Sequence, residues 1–305
     1  MTAVDRRFFG HPRGLATLFM TEMWERFSFY GMRAILILFM TAATPTGGLG
    51  FSVAKAGIIY GVYTAMVYLL SLPGGWIADR ILGARRAVLH GGILIALGEF
   101  ALSAPGLTAF YLGLILIVLG TGLLKPNIST MVGQLYAPGD QRRDAGFSIF
   151  YMGINVGALM SPLICGYLGQ RINWHLGFFA SGAGMVLGLI QYVLGGNYLG
   201  SAGLHPAAPE SAEAAAKQKR RVRIAVAATL LAVAILVALA FSGILHITAI
   251  GLSDFVGVLL LVLVLLVFGW LLTSPGFNTQ ERKRFVATFV LFVASALFWS
   301  AFEQA

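Results

Sequence analysis

Glu22, Glu25, Arg26 and Arg33 stand inside residues 15–41, an otherwise apolar run long enough to cross a membrane. An ionisable side chain at mid-bilayer costs at least about 2.5 kcal/mol, so each of these needs a partner, a water-filled cavity or a function. Glu22, Glu25 and Arg26 are spaced i, i+3, i+4, and Arg33 follows Arg26 by seven. At about 100° per residue all four fall on one helical stripe, which Tyr30, four after Arg26, joins. The plain reading is an ion-pair ladder that neutralises itself. Two carboxylates crowded beside one guanidinium point further, because like charges at that distance favour a proton on one of them. The stripe is therefore a candidate for reversible protonation.

Three more charges lie inside apolar runs. Lys125 follows Gly120 and Gly122 and precedes Pro126, where a helix opens locally and a neighbour can approach; its plain alternative is a lysine snorkelling from a helix end. Glu303 lies eighteen residues into the last run, as Arg33 does into the first, while Glu22 and Lys125 are each about seven residues from the inner boundary. The depths thus group an outer pair, Arg33 and Glu303, and an inner cluster. Glu99 either lines the same cavity or snorkels outward near Pro105.

The elements that must position these groups are membrane helices. The chain is 58% hydrophobic and 11% charged, with a mean hydropathy of +0.83, against about 25% charged in a soluble domain. A soluble globular protein is excluded. A bilayer core of about 30 Å takes about 20 helical residues, and nine runs qualify: 15–41, 56–77, 88–103, 110–132, 147–168, 177–199, 224–247, 252–272 and 285–305. Sixteen of the twenty-one Lys and Arg fall in the tail and loops of one face, two in the opposite loops and three inside runs. This asymmetry places the N-terminus in the cytoplasm and explains the basic run Lys217, Lys219, Arg220, Arg221 and Arg223 without a nucleic-acid partner. The first run is too long for a signal-peptide core. Cys165 stands alone and no His pair has ligand spacing, so neither an internal disulfide nor a metal site is expected. Residues 200–223, rich in Ala, Pro and charge, read as a linker, and the two runs after it as a lipid-facing hairpin without a chemical role. The last run lacks a polar flank, which suggests an N-terminal piece of a longer protein.

The second-to-third loop carries G-x-x-x-D-R-x-x-G-x-R-R at Gly75, Asp79, Arg80, Gly83, Arg85 and Arg86. This resembles the cytoplasmic loop motif of the major facilitator superfamily, where glycines permit tight helix approach and the Asp contacts neighbouring helices. With E-x-x-E-R-F at 22–27, F-Y-M-G-I-N-V-G at 150–157 and F-W-S-A-F-E-Q at 298–304, the chain resembles that superfamily's proton-dependent oligopeptide transporters. The resemblance implies an all-α integral membrane protein of the major facilitator fold: an N-terminal six-helix bundle (1–199), a cytoplasmic linker (200–223), an inserted transmembrane hairpin (224–272) and the first helix of a C-terminal bundle (273–305).

It further implies proton coupling by Glu22, Glu25, Arg26 and Glu303, and a peptide site of Tyr30, Arg33, Tyr68, Lys125, Asn155, Trp299 and Glu303. Phe29 stands where relatives often have a second tyrosine, which removes one hydrogen bond. A short peptide always presents one ammonium and one carboxylate. Arg33 and Lys125 would take its carboxylate, Glu303 its ammonium, Tyr30, Tyr68 and Asn155 would add neutral hydrogen bonds, and Trp299 would wall a side-chain pocket. The expected activity is proton-coupled symport of di- and tripeptides by alternating access in a bacterial cytoplasmic membrane, by a monomer surrounded by lipid, with protons as the coupling ion and no other cofactor. The alternative is a related carrier of nitrate or another small anion. An enzyme is not expected: a membrane-embedded hydrolase would need a His/Glu metal set or a Ser/Lys dyad.

Overall fold

The computed structural model of the chain describes residues 6–206, 216, 220, 224 and 249–302. Its long elements are helices, the form in which a segment in hydrocarbon satisfies its own backbone hydrogen bonds. They are α1 (Arg13–Thr41), α2 (Val53–Leu69), α3 (Ser71–Ile77), α4 (Ala84–Leu102), α5 (Leu107–Gln134), α6 (Arg142–Ser161), α7 (Trp174–Leu194), α8 (Ala249–Thr273) and α9 (Thr279–Phe302). Wider turns at Ala78–Leu82 continue α3, and turns at Pro162–Gly166 and Leu168–Ile172 continue α6. Six segments among the described residues are long and apolar enough to cross a membrane: Val53–Leu82, Leu107–Gln134, Arg142–Ile172, Trp174–Leu194, Asp254–Thr273 and Thr279–Ala301. Helices α1 and α4 are also long but less apolar, since α1 carries Glu22, Glu25, Arg26 and Arg33, and α4 carries Arg85, Arg86 and Glu99. The expected run 224–247 lies outside the described residues, apart from Ile224.

The chain divides into two compact units, Met1–Ala249 and Ile250–Ala305. In the first, α1 packs on α6 and α7, α4 on α5 and α7, and α2 and α3 on α5. Between α4 and α5 the approach is backbone to backbone. A Cβ on Gly91 would lie 2.6 Å from the Gly120 carbonyl oxygen, one on Gly120 2.5 Å from that of Gly91, and Gly98 and Gly113 repeat the arrangement at 2.7 Å both ways. Small residues drive such packing because lipid supplies no hydrophobic force between helices.

The interior of this unit is layered. One apolar cluster holds Leu15 and Leu18 of α1, Ala96 of α4, Leu124 of α5 and Met185 of α7. The other holds Phe29 and Met32 of α1, Leu102 of α4, Val118 of α5 and Phe178 of α7. On all four helices buried polar residues stand between the clusters: Glu22, Glu25, Arg26 and Ser28 on α1, Glu99 on α4, Thr121 on α5 and Ser181 on α7. A buried polar layer crosses the bundle between two apolar slabs.

In the second unit the turn between α8 and α9 is held by rings, Phe277 lying 4.9 Å from Phe285 and Phe268 4.9 Å from Phe289. Asp254 stands near the start of α8 and is exposed, an ionisable group in a run expected to have no chemical role. Helix α9 begins six residues before the expected start. The reason is a capping box, in which the Asn278 side chain accepts from the Glu281 N–H at 2.9 Å while the Glu281 carboxylate accepts from the Asn278 N–H at 2.8 Å.

The expected linker begins as ordered structure. After α7 the chain makes a short turn at Gly196–Leu199 and folds back. The Arg85 side chain donates to the Gly200 carbonyl and the Arg85 N–H to the Gly203 carbonyl, both at 2.8 Å, while the Gly203 N–H donates to Gln134 at 2.7 Å. This strap joins the start of α4, the end of α5 and the end of α7, with Leu199 and Ala202 buried beneath it.

Candidate functional site

Helix α1 brings its charges together one turn apart. The Arg26 Nε lies 3.0 Å from Glu22 Oε1 and 2.5 Å from Glu25 Oε2, and Glu22, Glu25 and Arg26 are only 4%, 1% and 5% exposed. Glycines of α6 allow this turn to be covered: a Cβ on Gly157 would lie 2.3 Å from the Met23 carbonyl and 3.0 Å from Arg26 Cβ. The fourth side of the guanidinium is an aromatic face, since Arg26 Cζ sits 5.2 Å from the Phe29 ring centre.

Lys125 belongs to the same cluster. It stands within electrostatic reach of Arg26, Glu25 and Glu22, and its Nζ lies 4.1 Å from the Tyr68 ring centre. Tyr30 and Tyr68 also act on Arg26. Tyr30, Arg33 and Lys125 are half-buried and Tyr68 is 58% exposed, so the buried acids grade into half-buried and exposed groups. Arg33, two turns beyond Arg26, lies over the Tyr60 ring, with Cζ 5.6 Å from its centre. The expected inner cluster is thus assembled, with Tyr68 added to it.

Asn155 is on the exposed face of α6, where its side chain donates to the Tyr151 carbonyl at 3.1 Å. Trp299 is on α9 in the second unit, 52% exposed. Glu303 lies outside the described residues. Glu99 neither lines the cavity nor snorkels: it is 0% exposed in the polar layer, its Oε1 accepting from the Ser28 hydroxyl at 3.3 Å.

In the loop motif the tight approach is made by Gly74, not Gly75. A Cβ on Gly74 would lie 2.0 Å from the Gly122 carbonyl, whereas one on Gly75 would meet Pro126 at 3.8 Å. Gly83 adopts a positive φ of 78° and its α-carbon faces the strap, 2.9 Å separating a Cβ there from the Gly203 carbonyl. Asp79, Arg80 and Arg86 are exposed, while Arg85 holds the strap.

Reading by residue type missed Ser28, Thr121 and Ser181. Their signal is a hydroxyl between apolar neighbours at the depth of the charges. An apolar cavity of about 480 Å³, lined by Phe8, Phe9, Phe19, Met20, Ile149 and Met152, holds no group that recognises a charged solute. Among the described residues no three His, Cys, Asp or Glu side chains are grouped to hold a metal ion.

The family model described as POT family matches residues 85–305. The chain belongs to the POT family. It is 44% identical to a di-/tripeptide transporter of Lactococcus lactis subsp. cremoris, the alignment covering 100% of this chain and 61% of that protein. It is 45% identical to an uncharacterised transporter of Bacillus subtilis (strain 168), covering 98% of this chain and 60% of the relative. Among solved structures, a peptide transporter POT in complex with alafosfalin superposes with a TM-score of 0.89 at 45% identity, covering 99% of this chain and 60% of the other. The architecture is therefore that of a POT transporter, of the major facilitator type, and the protein is a multi-pass membrane protein. The chain spans about 60% of the length of these relatives.

Proposed function

We propose that the protein containing this chain is a proton-coupled symporter of di- and tripeptides, working by alternating access in a bacterial inner membrane with its N-terminus in the cytoplasm. Three relatives support the substrate class: the lactococcal di-/tripeptide transporter, a peptide transporter of Yersinia enterocolitica, and the structure holding alafosfalin. In this reading 1–199 form one six-helix bundle, 200–223 connect it to an inserted hairpin, 224–272, and 273–305 begin a second bundle.

The observation that carries the coupling is one of charge balance. With both acids ionised, Glu22, Glu25 and Arg26 sum to one negative charge in a buried layer, and Lys125, a half-buried cation within electrostatic reach of all three, restores neutrality. A peptide carboxylate that pairs with Lys125 withdraws that compensation. The layer then regains neutrality by binding a proton, which links proton to peptide. Arg33 offers the carboxylate a second cation, Tyr30, Tyr68 and Asn155 supply hydrogen bonds, and Trp299 and Glu303 complete the site from the other bundle, Glu303 also carrying a proton.

The test is uptake of labelled dialanine into liposomes holding the full-length protein under an imposed proton gradient. Accumulation that unlabelled dipeptide suppresses and nitrate does not supports the reading. Suppression by nitrate alone would replace it with an anion carrier.

A further inference from the structure

Glu99 has no part in the charge balance just described, yet it lies at the same depth in the same layer. Its Oε1 has one neutral donor, Ser28 Oγ, and its Oε2 has no hydrogen-bond partner among the described residues. A carboxylate so placed would be buried, weakly solvated and close to another acid, three conditions that oppose a charge. The groups acting on this position are Glu25 of α1, Tyr63 of α2 and Cys165 of the continuation of α6. The Tyr63 hydroxyl and Thr121 Oγ1 of α5 are likewise buried and unpartnered among the described residues. From α7 the layer offers Ser181, whose hydroxyl donates to Cys165 Sγ at 3.4 Å, and the backbone of Gly182, where a Cβ would lie 3.1 Å from that of Glu99. These are neutral, so Glu25 is the neighbour whose charge changes.

We propose that Glu99 is a further proton-binding site of the transport cycle, coupled to Glu25 by charge and to the movement of α1 through Ser28. The inference rests on the proton-coupled reading above. The proton sits on Oε2, while Oε1 keeps the Ser28 hydrogen bond. When Glu25 is ionised its charge holds the proton on Glu99. When Glu25 binds a proton that repulsion ends, and Glu99 can release its own as H⁺ with no other bond made or broken. Two acids that interact in this way titrate as a pair rather than singly. Because Ser28 follows Glu25 by three residues on α1, a shift of that helix moves the hydroxyl and changes how firmly Glu99 holds its proton.

The experiment uses full-length protein in proteoliposomes with Glu99→Gln, which keeps the shape of the neutral acid and its acceptor for Ser28 but binds no proton. Infrared difference spectra across pH should show a protonated-carboxyl band in the wild type that this variant lacks. The pH midpoint of proton-driven dialanine uptake should move by about one unit, the size expected when a neighbouring titrating site is lost, while dialanine exchange at equal concentrations persists. An unchanged band together with an unchanged midpoint would overturn the proposal and leave Glu99 a structural acid. If Glu99→Gln does not reach the membrane, Ser28→Ala decides instead: loss of the hydrogen bond shifts the band and the midpoint if Glu99 titrates in the cycle, and moves neither if it does not. Failure of the underlying reading is separable, because wild-type protein would then ignore the proton gradient.

Discussion

One guanidinium cannot balance two carboxylates, and at the scale of single residues the proposed coupling rests on this imbalance. Replacing Glu22 or Glu25 by Gln keeps size and removes one titratable site. In full-length protein each change should abolish proton-driven accumulation of dialanine, a loss of at least about tenfold corresponding to about 1.4 kcal/mol of coupling, while exchange at equal concentrations continues. Accumulation surviving in both variants would remove this pair from the proton path. Outside the membrane, Arg142 hydrogen-bonds both oxygens of Asp140 through its side chain and one through its backbone N–H, which holds the Asp140 carboxyl at about 2. The same guanidinium donates to the Gly10 carbonyl at 2.9 Å and so tethers the N-terminal tail. A carboxyl depressed below its unfolded value of about 3.9 contributes fully above that pH and loses its contribution as pH falls toward the folded value. The hydrogen-exchange protection factor at residues 8–11, which removes the intrinsic pH dependence of amide exchange, should therefore be flat from neutral pH down to about pH 5 and fall below about pH 4. In Asp140→Asn the exchange should already be raised at neutral pH.

At the scale of elements, close backbone contact makes some glycines irreplaceable and leaves others free. Gly120→Ala drives a methyl into the Gly91 carbonyl, whereas a Cβ on Gly57 meets nothing within 4 Å. Gly120→Ala should lower thermal stability by about 1 to 3 kcal/mol, the usual cost of overpacking, and Gly57→Ala should leave the melting temperature unchanged. Equal effects would mean that α4 and α5 are not packed as described. Arg85→Ala removes one charge-assisted hydrogen bond to the strap, worth about 1.5 to 3 kcal/mol, while the backbone bond to Gly203 remains. Limited proteolysis should then cut within 200–206 faster than in the wild type, and equal rates would argue that Arg85 does not hold the strap.

These elements also show what sequence makes legible. The α1 charges stand out because nothing else in an apolar run can be mistaken for them. The choice between Gly74 and Gly75 does not, since neighbours differ by about 100° around the helix and only the partner helix decides which one faces it. The facing of Glu99 is hidden for the same reason: depth is readable from sequence, facing is not. The strap reads as linker in the sequence because its anchors are backbone carbonyls, which composition does not record. The early start of α9 was hidden in its cap, which lies in polar residues ahead of the apolar run.

At the scale of the first unit, the buried polar layer separates two apolar slabs, and the groups at its edge, Lys125, Tyr68, Tyr30 and Arg33, are half-buried or exposed. In the proposed reading, a layer that binds a proton when a peptide occupies its cation brings both across together. The most direct measurement loads full-length protein into liposomes containing a pH-sensitive dye, with no gradient imposed, and adds dialanine outside. The account predicts acidification of the interior that follows dialanine entry and disappears in Glu22→Gln and Glu25→Gln. Dialanine entering at an undiminished rate with no change in internal pH would contradict it.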